Sequence, residues 1–126
     1  MIHVSLLTVP DVIASSLAGP YDVLTYFNGL SGGDDTFRVE LVGETREPVT
    51  TANGMSLTPH KTIDEVPATD IVYIPSLHVG PEGWRVGAHD RIVEWMRGHY
   101  ARGARLCGAC TGTLLLAETG LLSGRE

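Results

Sequence analysis

The run TDIVYIPS, Thr69 to Ser76, constrains the fold more than any other stretch. Its centre, Ile71 to Ile74, is apolar or aromatic throughout and leaves no polar face for water. A half-exposed strand alternates, whereas a strand without alternation is covered on both sides, the habit of parallel sheets. The elements around it fit such a sheet. IHVSLLTV, Ile2 to Val9, is β-rich and stops at Pro10. From Ile13 to Leu30, Leu17, Tyr21, Leu24 and Phe27 fall at helical spacing, with Pro20 tolerable near the first turn. Ser31 to Asp35 reads as a loop, and Phe37 to Glu44 alternates as a strand. Asn53-Gly54 lies between two β-prone runs and predicts a hairpin with positive φ at both central positions. His89 to Gly103 predicts an amphipathic helix with Ile92, Trp95, Met96 and Tyr100 on its inner side and Gly103 as its stop. Ala104 to Ala109 is then a short strand, and Thr111 to Gly120 a helix. This order predicts an α/β, flavodoxin-like parallel sheet with helices on both faces. Ligands of such sheets sit beyond the carboxyl ends of the strands.

Composition narrows the function. At 126 residues the chain is long enough for one domain. A net charge of −6 repels phosphate backbones, so direct contact with nucleic acid is not expected. The apolar runs are too short to span a membrane, and the N-terminus lacks a basic, cleavable leader. The 2 cysteines are too few for a disulfide framework, which suggests a reducing, cytoplasmic setting.

The chemistry-bearing motif is Gly108-Ala109-Cys110-Thr111-Gly112, a G-x-C-x-G between strand and helix. A sharp turn of this kind strains its central residue and requires small neighbours two positions away. Cys110 would stand at the mouth of the sheet as a nucleophile or redox-sensitive thiol, with the Thr111 N–H available to an oxyanion. The plain alternative is a small residue buried in a tight turn. Cys107 and Cys110 also spell C-x-x-C, but Cys107 falls inside the predicted strand and reads as a core residue. His3, His60, His89 and His99 show no metal-ligand spacing, so no metal is expected, and nothing calls for a cofactor.

Three segments carry a resemblance: LAGPYDVL (Leu17 to Leu24), VTTANGMSLTPHKTIDEVPATDIVYIPSL (Val49 to Leu77) and CTGTLLLAETGLLSGR (Cys110 to Arg125). Together they resemble the ThiJ/PfpI branch of the class I glutamine amidotransferase-like superfamily. The likeness is greatest to the domain forming the N-terminal half of many AraC-type transcriptional regulators. It covers nearly the whole chain and implies a homodimer with a cysteine at the strand-to-helix turn. It also implies that the domain continues past Glu126, so that residues 1–126 are a truncated domain. DNA would be met only through a helix-turn-helix domain C-terminal to this segment. Enzymatic relatives place a carboxylic acid near the cysteine, where this chain has Ser16, and often two glycines where it has Ser76 and Leu77. A serine neither supplies nor takes a proton at neutral pH. The expectation is therefore a small-molecule sensor with Ser16, Ser76, Leu77, His78, Cys110 and Thr111 around its ligand. The alternative is a cysteine-dependent isonitrile hydratase-like or hydrolase enzyme using Cys110, with the Thr111 and Leu77 N–H groups as oxyanion donors.

Overall fold

The computed structural model describes residues 1–30, 32 and 36–125. Strands β1 (Ile2–Leu7), β2 (Phe37–Gly43), β5 (Lys61–Thr62), β6 (Ile71–Ile74) and β7 (Arg105–Gly108) form one sheet in the order β5-β2-β1-β6-β7. Every pairing in it is parallel, with Val4 opposite both Val39 and Ile71, and Tyr73 opposite Cys107. Strands β3 (Val49–Thr50) and β4 (Ser56–Leu57) make a separate antiparallel hairpin. The helices are α1 (Ala14–Leu30), α2 (Asp90–Ala101) and the short α3 (Gly112–Ala117), with a 3-10 turn at Ile63–Glu65.

The topology dictates the layering. From β1 the chain steps outward to β2, and from β6 it steps the opposite way to β7. Right-handed crossovers in opposite directions place α1 and α2 on opposite faces. Tyr73 marks the α1 face, because its hydroxyl donates to the Ser16 carbonyl at 3.0 Å. The order reverses between β1 and β6, which makes the gap beyond their carboxyl ends the switch point of the sheet.

The core runs through both layers and includes Leu6, Leu7, Leu17, Val72, Ile74, Ile92, Met96 and Leu115, all almost fully buried. At ~25 cal/mol per Å² of apolar surface, each large side chain of this set stabilises the fold by about 2 kcal/mol. Most expected elements are present, with differences that have physical causes. β6 is buried at Val72 and Ile74 but only half-buried at Ile71 and Tyr73, which point to the opposite face of the sheet. Along α2 the inner stripe is Ile92, Val93, Met96 and His99, whereas Tyr100 is exposed and Trp95 half-buried. The face is turned by about one residue, so a histidine sits where an aromatic was expected. Cys107 lies in β7 as expected but is exposed, which corrects its reading as a core residue; among the described residues β7 pairs with β6 alone. In the hairpin only Gly54 takes positive φ, at 88°. Its turn is a five-residue loop closed by Thr51 N–H on the Met55 carbonyl at 2.8 Å, so Asn53 needs no left-handed backbone. α3 ends at Ala117, three residues before Gly120, whose φ of 78° turns the chain away. The short strand β5 was not expected. The loop expected at Ser31 to Asp35 lies, apart from Gly32, outside the described residues.

On α1, Leu17 is buried and Tyr21 and Leu24 pack against the core, but Phe27 is 47% exposed. Val23, Tyr26 and Leu30, exposed by 67%, 72% and 71%, form an outward apolar stripe.

The amino ends of the strands hold a closed polar network. His3 Nε2 meets Glu40 Oε1 at 2.7 Å and His3 Nδ1 meets Thr69 Oγ1 at 2.8 Å, with Ser5 Oγ 2.9 Å from Thr69. Lys61 and Arg38 approach Glu40 at 3.7 and 3.6 Å. Burial alone would raise the Glu40 pKa, but the His3 hydrogen bond and the Lys61 and Arg38 charges together hold it below the usual carboxylate value. A cavity of about 520 Å³ opens beside these residues.

His99 is 2% exposed. Its Nδ1 lies 3.3 Å from a guanidinium nitrogen of Arg102, which can only donate, so Nδ1 accepts and the ring proton sits on Nε2. Burial first, and the Arg102 charge second, lower its pKa below 6.5, although the nearby Val66 backbone works the other way. The folded state therefore binds fewer protons than the unfolded chain just below that pH. The His99 contribution is intact above pH 6.5 and is lost as pH falls below it. Urea midpoints of the wild type are expected to fall between pH 7.5 and 5.5, and the fall is expected to be shallower in His99→Gln. Equal slopes in the two proteins would contradict this assignment.

Candidate functional site

At the carboxyl end of β7 the chain makes a tight bend. Ala109 N–H still donates to the Ile74 carbonyl at 2.9 Å, as if the strand continued. Cys110 then takes φ = 51°, a left-handed value that costs a side-chain-bearing residue about 1 kcal/mol or more. Thr113 Oγ1 donates to the Cys110 carbonyl at 2.7 Å and helps hold the bend. The flanking glycines are needed for space. A Cβ on Gly112 would lie 2.4 Å from the Pro75 carbonyl oxygen and 2.5 Å from that of Ile74. On Gly108 it would lie 3.1 Å from Thr113 Cγ2 and 3.2 Å from Thr113 Cα. The thiol of Cys110 is exposed and free, as is that of Cys107. The two do not make a redox pair of the C-x-x-C kind, which needs both thiols at a helix start, because Cys107 sits in extended strand.

Four of the expected residues form one hydrogen-bonded group across three elements. Ser16, in the first turn of α1, accepts the Ser76 N–H on its Oγ at 2.8 Å. Thr111 Oγ1 accepts the Leu77 N–H at 2.8 Å and donates its proton to the Leu77 carbonyl at 2.6 Å. Having one proton, it must then accept from Ser76 Oγ at 3.0 Å. The Leu77 peptide is thus held at both its N–H and its C=O by one side chain. Its N–H is committed to Thr111, which corrects the expectation that it would serve as an oxyanion donor.

The loops after β1 and β6 are zipped together. Ile13 N–H donates to the Ser76 carbonyl and His78 N–H to the Asp11 carbonyl, both at 2.9 Å, around a bridge between Val12 and Leu77. Leu77 is buried beneath this zip. The His78 side chain is exposed and, with Leu77, lines a cavity of about 380 Å³ whose wall does not include Cys110. Asp11, also on that wall, has φ = 68°. Among the described residues Asp11 and Cys110 are the side-chain-bearing residues with positive φ. No sequence motif singles out Asp11. Its signal was an aspartate directly after Pro10 at a strand end, since aspartate tolerates the left-handed region better than most residues. Among the described residues no group of histidine, cysteine and carboxylates is placed to hold a metal.

The sequence profile of the DJ-1/PfpI family matches residues 3–126. The chain belongs to the DJ-1/PfpI family. Among its relatives, the isonitrile hydratase of Pseudomonas putida is 30% identical over 126 residues, 99% of this chain and 50% of that protein. The HTH-type transcriptional regulator GbdR of Pseudomonas aeruginosa is 30% identical over 111 residues, 88% of this chain and 29% of the regulator. The chain thus spans half or less of these relatives. An AraC family transcriptional regulator from Pseudomonas putida shares the fold at a TM-score of 0.80 and 18% identity, covering 97% of this chain and 63% of that one. These likenesses make the architecture that of a DJ-1/PfpI domain, shared by enzymes and regulators alike.

Two substitutions test the geometry of the bend. Gly112→Ala drives a methyl group into two backbone oxygens that cannot move aside, and is expected to destabilise by about 3 kcal/mol. Thr111→Val leaves both polar groups of the Leu77 peptide unpaired and is expected to cost about 2 kcal/mol, with Thr111→Ser near wild type. Denaturant titrations measure both. Stability unchanged in Thr111→Val would remove the latch assigned to its hydroxyl.

Proposed function

We propose that this DJ-1/PfpI chain is the ligand-sensing part of an AraC-type transcriptional regulator. Small molecules bind it at the carboxyl end of the sheet, beside the loop of Ser76, Leu77 and His78 and the Cys110 turn. The observation that carries the reading is the commitment of two backbone donors. The Ser76 N–H is spent on Ser16 and the Leu77 N–H on Thr111, so this loop offers a developing oxyanion no donor from either residue. Residue 16, where the family resemblance leads one to expect an acid, is a serine already engaged as an acceptor. A binding pocket needs neither group. In this reading Cys110 is a pocket wall or redox-sensitive thiol. DNA is met through another part of the regulator, in keeping with the 29% of GbdR that the chain covers. The assembly is a cytoplasmic homodimer, for which the apolar stripe of Val23, Tyr26 and Leu30 on α1 offers a surface.

A second reading is favoured by 30% identity to an isonitrile hydratase along essentially the whole chain, and by a strained, exposed Cys110. Hydration of an isonitrile adds water across the terminal carbon and gives an N-substituted formamide. The two readings part on one assay. With an alkyl isonitrile, formamide formation by the wild type is expected to match that of Cys110→Ser. Turnover that disappears in Cys110→Ser would replace the sensor with the enzyme.

A further inference from the structure

Beyond Ile74, where β6 ends, the chain runs from Pro75 to His89 before α2 begins. Connections of about 12–15 residues or more without regular structure are uncommon in compact domains, and most are lids or binding loops. The first part of this one is zipped to the loop after β1, through His78 N–H on the Asp11 carbonyl. The rest is built differently. Residues 81–83 and 85–88 are exposed, and Trp84 between them is half-buried and packed against the core. Trp84, Arg85 and His89 share the wall of the cavity of about 380 Å³ with Asp11, Leu77 and His78.

Two hydrogen bonds fasten this stretch to the body of the molecule, and both end on one carboxylate. Trp84 Nε1–H donates to Glu118 Oε2 at 2.8 Å, and Gly87 N–H donates to Glu118 Oε1 at 3.1 Å. Among the described residues no other hydrogen bond joins residues 79–88 to another element. Glu118 itself stands on fixed ground. It follows α3, whose first residue, Gly112, is seated against the carbonyl oxygens of Ile74 and Pro75. On the other side of the clasp, Gly83 and Gly87 bracket Trp84 with φ of 82° and 90°. Glycine enters that region without a steric penalty, so the backbone can turn on either side of the tryptophan.

We propose that residues 79–88 are a strap that opens and closes over the switch-point cavity, and that Glu118 is its clasp. The structure shows the closed form. Hydrogen bonds to an ionised acceptor are stronger than neutral ones, and two of them on one side chain give that form its advantage. When the carboxylate lets go of Trp84 and Gly87, the indole leaves the core by rotation at the two glycines and the cavity is laid open. A molecule that binds better under the closed strap shifts the balance toward closure by its difference in affinity for the two forms. The strap governs access and not chemistry, so it serves a sensor or an enzyme alike and does not rest on the function proposed above.

Trypsin reports the opening through cleavage after Arg85, because proteolysis of a transiently open segment follows the population of the open form. In the wild type, cleavage at Arg85 is expected to outpace cleavage at Arg97, inside α2, and to respond less to urea below the unfolding transition, since a local opening exposes little surface. Glu118→Gln keeps the shape of the side chain but sets an amide donor against one of the two N–H groups. It is expected to speed cleavage at Arg85 about ten-fold, the factor that follows from losing one hydrogen bond to a charged group. Trp84→Phe keeps an apolar ring without the indole N–H, should act in the same direction, and repeats the test without touching α3. Diethylpyrocarbonate reports access to the cavity. Modification of the half-buried His89 should rise in Glu118→Gln by a similar factor, with exposed His60 unchanged. Cleavage at Arg85 that is no faster in either variant, or that keeps pace with Arg97, would overturn the clasp. Faster cleavage with no change at His89 would leave a loose loop and overturn the lid. Neither result bears on isonitrile turnover, so the strap and the proposed function stand or fall separately.

Discussion

No methyl group fits between Gly112 and the carbonyl oxygens of Ile74 and Pro75. That close approach seats the start of α3 on the end of β6. It also brings Thr111 within reach of the Leu77 peptide, and Cys110 is forced through the left-handed region as a result. Remove the contact and the bend relaxes, the Thr111 hydroxyl loses its register, and the loop after β6 is no longer held. The site region is thus organised by a steric limit first and by hydrogen bonds second.

Those hydrogen bonds are economical. One hydroxyl, Thr111 Oγ1, satisfies a backbone donor and a backbone acceptor and takes a third bond from Ser76. Ser16 performs the matching task from α1. Three elements distant in sequence are tied at one corner with no charged group, so the tie carries no desolvated ion and does not depend on pH. The opposite end of the sheet is built the other way, with Glu40 at its centre and two cations and an imidazole around it.

Much of this was legible in the residues. An unbroken apolar run at Ile71 to Ile74 implied a parallel sheet, and G-x-C-x-G implied a bend with small neighbours; both follow from local sterics and burial, which a sequence encodes directly. Ser16, Ser76, Leu77 and Thr111 were expected around a ligand, and the structure brings them together by hydrogen bonds to one another. What escaped reading depended on tertiary geometry. The exposure of Cys107 depends on what packs against β7, which its own residues do not reveal. His99 displaced Tyr100 from the inner side of α2 because helical phase is set by the packing partner, to within about one residue. The commitment of the Leu77 N–H needed the exact reach of a hydroxyl 34 positions away. Asp11 went unweighted because an aspartate after a proline is ordinary until its backbone angle is known.

The division of tasks at the carboxyl end of the sheet bears on how such a domain changes over evolutionary time. The corner tie among Ser16, Ser76 and Thr111 supports the loops without contributing to the wall formed by Asp11, Glu82 and Arg85. The residues that hold the loops and the residues that line the cavity are therefore different. Substitutions along that wall can change its charge and shape while the hydrogen-bonded corner stays intact, so the surface is free to diverge without disturbing the scaffold.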